Sequence, residues 1–177
     1  MKATVTLIII NAICFLAAYF LQNSAEYFGL NIFFFNGAYW QILTSMFMHA
    51  GIFHIAMNMA VLWQFGTILE KFLGSLRFSL IYLILGILTN ILCLAFVYFD
   101  FTRGEIINVV GASGAICVLF GIVAFYDPRN AKGLFLMILI ISFAPLLLGV
   151  NIAWYAHLLG FFLGYFYSFL RNKFGIF

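Results

Sequence analysis

Long apolar runs separated by short polar breaks set the pattern of this chain. A helix rises about 1.5 Å per residue, so roughly 17–25 apolar residues cross the ~30 Å hydrocarbon layer of a bilayer. The chain holds six such runs, predicting spanning helices over residues 5–21, 52–69, 78–99, 109–126, 133–150 and 152–170. Residues 30–40 are rich in Phe and Tyr but too short and interrupted to span. They are expected in the interface, with Tyr39 and Trp40 at headgroup level. The run after Met1-Lys2 exceeds the roughly 7–15 residues of a signal-peptide core and reads as an uncleaved first helix. Pro145 falls near the end of the fifth run, tolerable where neighbouring helices satisfy the freed carbonyl. With no linker or low-complexity segment, a single membrane domain over residues 1–177 is expected.

Composition supports that pattern. Of 177 residues, 67% are hydrophobic and only 7% charged, against roughly 25% charged in a soluble domain. A chain this short cannot bury so much apolar surface on itself, so lipid must solvate it. The net charge of +3 is too small and dispersed for nucleic-acid binding. Cys14, Cys93 and Cys117 lie in separate runs with no CxxC pair, so neither a disulfide framework nor a thiolate metal site is indicated. Packing between helices is their expected role.

Charge also orients the helices. With six spans, Lys2, Lys71, Arg77, Arg129, Lys132, Arg171 and Lys173 fall on one side and only Arg103 on the other. The positive-inside rule then puts both termini in the cytoplasm. Helices two, four and six begin on the outer side, and they carry His54 with Asn58, Ser113, and His157 respectively. Three helices therefore deliver polar residues to one shallow layer.

That layer suggests hydrolytic chemistry. Ser113 lies in Gly111-Ala112-Ser113-Gly114. Alone, it would read as a serine bonded to its own helix. The flanking glycines allow close approach by substrate or backbone, and a helix N-terminus offers N–H groups to an oxyanion. An imidazole inside a membrane helix is a functional candidate by default. Gly160 and Gly164 follow His157 at i+3 and i+7, a small-residue stripe that permits close helix packing. If the neighbour is helix four, His157 can act as general base to Ser113. No carboxylate is obviously placed to orient it, which suggests a dyad. His54 and Asn58 share a helix face at i, i+4 and are either a structural hydrogen-bonded pair or oxyanion donors with the Ser113 N–H. His49, five residues before His54, is expected to hydrogen-bond within its loop. HExxH is absent, and Glu26, Glu70, Asp100, Glu105 and Asp127 are not central in any span, so zinc and two-aspartate mechanisms lack residues.

Taken together, Leu43-Thr44-Ser45-Met46-Phe47-Met48-His49, His54 with Asn58, Gly66, Glu70, Gly111-Ala112-Ser113-Gly114, and Ala156-His157 with Gly160 and Gly164 resemble the rhomboid family of intramembrane serine proteases, from Trp40 to about Gly164. The resemblance, to the minimal bacterial-type form, implies an all-α, polytopic six-transmembrane-helix bundle. It implies Ser113 as nucleophile, His157 as base and His54 and Asn58 in the oxyanion hole, with Gly111, Gly114, Gly160 and Gly164 as structural support. It further implies single-pass or polytopic membrane-protein substrates cut near the outer leaflet, no cofactor or metal, and a bacterial inner membrane. For Glu70 it suggests a structural hydrogen-bonding role near the cytoplasmic end, against the plain alternative of an interfacial charge beside Lys71. Two positions depart from the family pattern: Gln41 stands where many members carry a loop-stabilising arginine, and Cys117 where an aromatic often stacks on the histidine. A catalytically inactive rhomboid-like module that binds transmembrane helices is the alternative reading. A transporter or channel would need central ionisable residues or inverted repeats, and the sequence displays neither.

Overall fold

Six long helices account for most of the computed structural model, which describes residues 1–147, 149 and 152–175. They are α1 (Lys2–Tyr19), α2 (Ile52–Leu73), α3 (Ser75–Thr102), α4 (Ser113–Tyr126), α5 (Pro128–Leu147) and α6 (Trp154–Phe174). No strand is present among the described residues; the lone β-bridge pairs Leu30 with Val109. α1, α2, α3 and α5 are each long and apolar enough to cross a membrane. The molecule is thus an all-α membrane bundle, as the apolar runs imply.

Helix ends differ from the apolar runs for identifiable reasons. α3 begins at Ser75 and α5 at Pro128, several residues before their apolar cores, because the chain enters each helix directly from a tight break. Gly74, at φ +79°, makes the break before α3. Pro128 suits a first helical position, where no N–H is required. The expected end of the fifth run at residue 150 lies outside the described residues. α4 is the main correction: it starts at Ser113, not 109, and has 14 residues. The preceding segment is extended instead, held by two hydrogen bonds between Val109 and Leu30 (2.8 and 2.9 Å) and by the Gly111 N–H on the Ser45 carbonyl at 2.9 Å. Inside α2, residues Leu62–Gly66 form a π-helical turn.

α4 is the axis of the bundle. All its residues from Gly114 to Ile122 are buried. α6 lies against it at the distance only glycine allows. A Cβ on Gly160 would collide with the Gly114 carbonyl oxygen, and one on Gly164 with the Val118 carbonyl oxygen. From the other side, a Cβ on Gly121 would strike the Phe161 carbonyl oxygen. The small-residue stripe read from the sequence therefore faces α4. α5, by contrast, is peripheral: of its described residues only Leu134, Ile138 and Ser142 are buried, a single i, i+4, i+8 stripe.

At the far end of the bundle, Glu70 near the close of α2 caps the start of α1, accepting hydrogen bonds from the Ala3 and Thr4 amides. The same end carries the basic residues beside the termini of α1, α2, α3, α5 and α6, while Arg103 sits at the opposite end of α3. The loop between α1 and α2 is built from short turns, including a 3-10 turn over Ile32–Asn36, and its Tyr39 and Trp40 are exposed. Gln41, the expected weak point of this loop, is fully buried. Its Nε2 donates to the Glu26 carbonyl (3.1 Å) and to Asn31 Oδ1 (3.2 Å), while its Oε1 accepts from the Asn31 N–H at 3.2 Å.

Candidate active site

The polar layer assembles at the end of the bundle opposite Glu70. Ser113 is the first residue of α4 and His157 the fourth of α6. Because Gly114 and Gly160 bring the two helices into backbone contact, these side chains meet: His157 Nε2 lies 3.0 Å from Ser113 Oγ. Ser113 remains partly exposed, whereas His157 is 9% exposed. A serine–histidine hydrogen bond of this length is the geometry that a nucleophile and its base require.

Gly111, at φ +122°, turns the chain sharply two residues ahead of Ser113. The conformation is one that L side chains rarely adopt, and the space is closed as well. A Cβ there would lie 2.9 Å from His54 Cε1 and Nε2, and 3.6 Å from Asn58 Nδ2. His54 and Asn58, one turn apart on α2, thus point their terminal nitrogens at the approach to Ser113. His54 Nδ1 accepts a long hydrogen bond from the Ala50 N–H, 3.4 Å, an arrangement that puts the ring proton on Nε2, the atom facing Gly111. Asn58 Nδ2 is buried and has no hydrogen-bond partner among the described residues. The structural pair considered for His54 and Asn58 would have satisfied that amide; instead it is an unused donor.

His49 was expected to serve its loop, and it also reaches the site's backbone. Its Nε2 accepts from the Ala112 N–H at 3.5 Å, and its ring meets the His54 ring edge-on with centroids 5.1 Å apart. Burial, with His54 adding to it, pushes the His49 imidazole down to about 4, so it is neutral at pH 7.

Two residues escaped sequence reading. Ser142 on α5 is fully buried, and its Oγ lies 3.0 Å from His157 Nδ1. Asn90 on α3 donates to Ser45 Oγ and to the Ile42 carbonyl, both at 2.9 Å, steadying the turn whose Ser45 carbonyl holds Gly111. A serine and an asparagine within apolar runs were the available signals, but neither lies at a helix start, and depth alone could not rank them. Cys117, buried one turn after Ser113, supplies the Cβ that packs against Gly160. An apolar groove between α3 and α6, and a second one bordered by Arg77 and Arg171, contain none of the site residues. No His, Cys, Asp and Glu cluster fit for a metal ion occurs among the described residues.

Comparison with known proteins places the chain among similar sequences. Residues 36–174 match the Rhomboid domain model. The rhomboid protein YdcA of Bacillus subtilis (strain 168) is 34% identical over 152 residues, covering 80% of this chain and 72% of YdcA. The rhomboid protease GluP of the same organism is 38% identical over 96 residues, 54% of this chain but 17% of GluP. The Inactive RHOMBOID-like protein 8 of Arabidopsis thaliana is 37% identical over 62 residues, 35% of this chain and 18% of that protein.

Proposed function

This chain belongs to the rhomboid family, and from that premise we propose that it is an intramembrane serine endopeptidase using Ser113 as nucleophile and His157 as general base. The observation that carries the reading is the 3.0 Å approach of His157 Nε2 to Ser113 Oγ, between residues 44 apart in the chain. As Oγ attacks a substrate carbonyl, Nε2 takes its proton. The tetrahedral oxyanion accepts hydrogen bonds from the Ser113 N–H, His54 Nε2–H and Asn58 Nδ2–H. His157 then returns the proton to the leaving amine, and an activated water releases the acyl group by the same route in reverse.

The substrates are transmembrane helices with small or helix-weakening residues near one end, because intact helical amides are hydrogen-bonded and shielded. The cation-rich end of the bundle is cytoplasmic, so both termini lie in the cytoplasm, the site opens near the outer face, and a bacterial inner membrane is the setting. Residues 1–177 act as one membrane domain.

The test is purified protein in proteoliposomes with several model transmembrane substrates, wild type against Ser113→Ala and His157→Ala. Cleavage lost in both variants supports the dyad. Absence of Ser113-dependent cleavage from every substrate favours a binding module without activity, and activity retained by Ser113→Ala while His157→Ala is dead would sink the mechanism.

A further inference from the structure

Building on the Ser113–His157 reading, we propose that Ser142 is a positioning residue for catalysis: its hydroxyl oxygen accepts the Nδ1–H of His157 and so keeps the Nε2 lone pair turned toward Ser113. The imidazole must bind Ser113 through an unprotonated Nε2. In the neutral ring, that requires the proton on Nδ1, and a partner for Nδ1 decides which tautomer prevails.

Among the described residues Ser142 is the partner within reach, at 3.0 Å. Its behaviour departs from that of four other hydroxyls within the long helices. Thr6, Ser79, Thr89 and Ser168 each donate to the carbonyl four residues back in their own helix. That is the ordinary fate of Ser and Thr in an apolar helix. Ser142 makes its hydrogen bond to His157 instead. It is also fully buried, on a helix otherwise largely exposed to lipid. A polar side chain placed at the one buried stripe of α5, on the ring nitrogen opposite the nucleophile, has a geometric reason to be there.

The position also answers a need created elsewhere. Cys117 packs its Cβ on Gly160 and presents no ring to stack on the imidazole. The ring is then oriented through its two nitrogens, Nε2 bonded to Ser113 of α4 and Nδ1 to Ser142 of α5. When Nε2 takes the Ser113 proton, the imidazolium needs an acceptor at Nδ1, and Ser142 Oγ supplies it without a carboxylate.

The experiment pairs kinetics with spectroscopy on the full chain in detergent or liposomes. Ser142→Ala should lower kcat by about 10- to 100-fold, the range expected for losing a hydrogen bond to a charged group. KM should hold, and Ser142→Thr, which keeps the hydroxyl, should recover most of the loss. In 15N-histidine spectra, with His157 assigned by difference against His157→Ala, the wild type should show the Nδ1–H tautomer and Ser142→Ala should lose its dominance. Wild-type kcat in Ser142→Ala, or an Nε2–H tautomer in the wild type, overturns the proposal. The tautomer measurement needs no turnover. If the wild type cleaves nothing and Ser113 is not labelled by a fluorophosphonate, the protease reading fails, while the spectra still decide whether Ser142 sets the histidine.

Discussion

Thr4 gives both its amide N–H and its hydroxyl to one oxygen of Glu70, at 2.9 and 2.7 Å. The other oxygen takes the Ala3 amide at 2.9 Å and the Ser75 hydroxyl at 2.6 Å. A carboxylate near the C-terminal end of its own helix opposes that helix's dipole, but this one serves the N-terminus of a neighbour, where anions are favoured. The four bonds tie α1, α2 and α3 together at the end of the bundle away from the site. Glu70→Ala leaves the two buried Thr4 donors without an acceptor and should destabilise the protein by about 3 kcal/mol, with Glu70→Gln costing less. Unfolding midpoints in SDS titrations read both. An unchanged midpoint in Glu70→Ala would mean that Glu70 is only an interfacial charge.

Gly160 and Gly164 admit no side chain. The atoms their Cβ would meet are carbonyl oxygens of α4, which cannot move aside as a flexible side chain would. Gly160→Ala should therefore push α6 away and carry His157 off Ser113. Misplacement of reacting groups by about 1 Å can cost 10²-fold in rate, so cleavage should drop by at least that factor. Gly133→Ala, where nothing lies within 4 Å, is the matched control and should be neutral.

Asn58 separates oxyanion chemistry from structure. Since its amide nitrogen has no partner among the described residues, removing it takes away none of their hydrogen bonds. Asn58→Ala should lower kcat by roughly 10²–10³, the cost of one oxyanion donor, while the thermal midpoint stays the same or rises. A fall in midpoint with kcat intact would assign Asn58 to the bundle rather than to the reaction.

Gln41 holds the first loop from inside. Gln41→Ala would strand the buried Asn31 N–H, at a cost of about 2 kcal/mol, while the Glu26 carbonyl keeps its bond from Asn31 Nδ2. Hydrogen exchange at residues 26–31 should accelerate before exchange in α4 changes. Equal acceleration in both would show that the loop and bundle unfold as one unit.

His49 should make stability depend on pH. Its folded-state value, about 4, lies below the ordinary histidine value of 6.5. Between these, the unfolded chain binds a proton that the folded chain refuses. Stability contributed by neutral His49 is thus complete above pH 6.5 and is lost as pH falls toward 4. The unfolding midpoint of wild type minus that of His49→Asn should trace this window. A flat difference from pH 7 to 4 would show that His49 titrates alike in both states.

Much of this molecule is legible along the chain. Lipid imposes a length and a polarity on each spanning segment, so six apolar runs, their alternation and the cation-rich end follow from local pattern alone. The resemblance across Gly111–Gly114 and Ala156–His157 named the same serine and histidine that the structure brings together. What pattern could not supply was everything that depends on which helix neighbours which. Val109 is as apolar as the residues that follow it, yet it pairs with Leu30 and leaves α4 four residues shorter than its run. Gln41, read as a missing arginine, closes its loop through atoms 10 to 15 residues away. Ser142 looked like any hydroxyl in a greasy helix until α5 set it against His157. Burial and periodicity act within a segment and can be read from it. Hydrogen bonds between segments depend on rotation and register of whole helices, and those are decided only when glycine contacts such as Gly160 on Gly114 lock one helix against another.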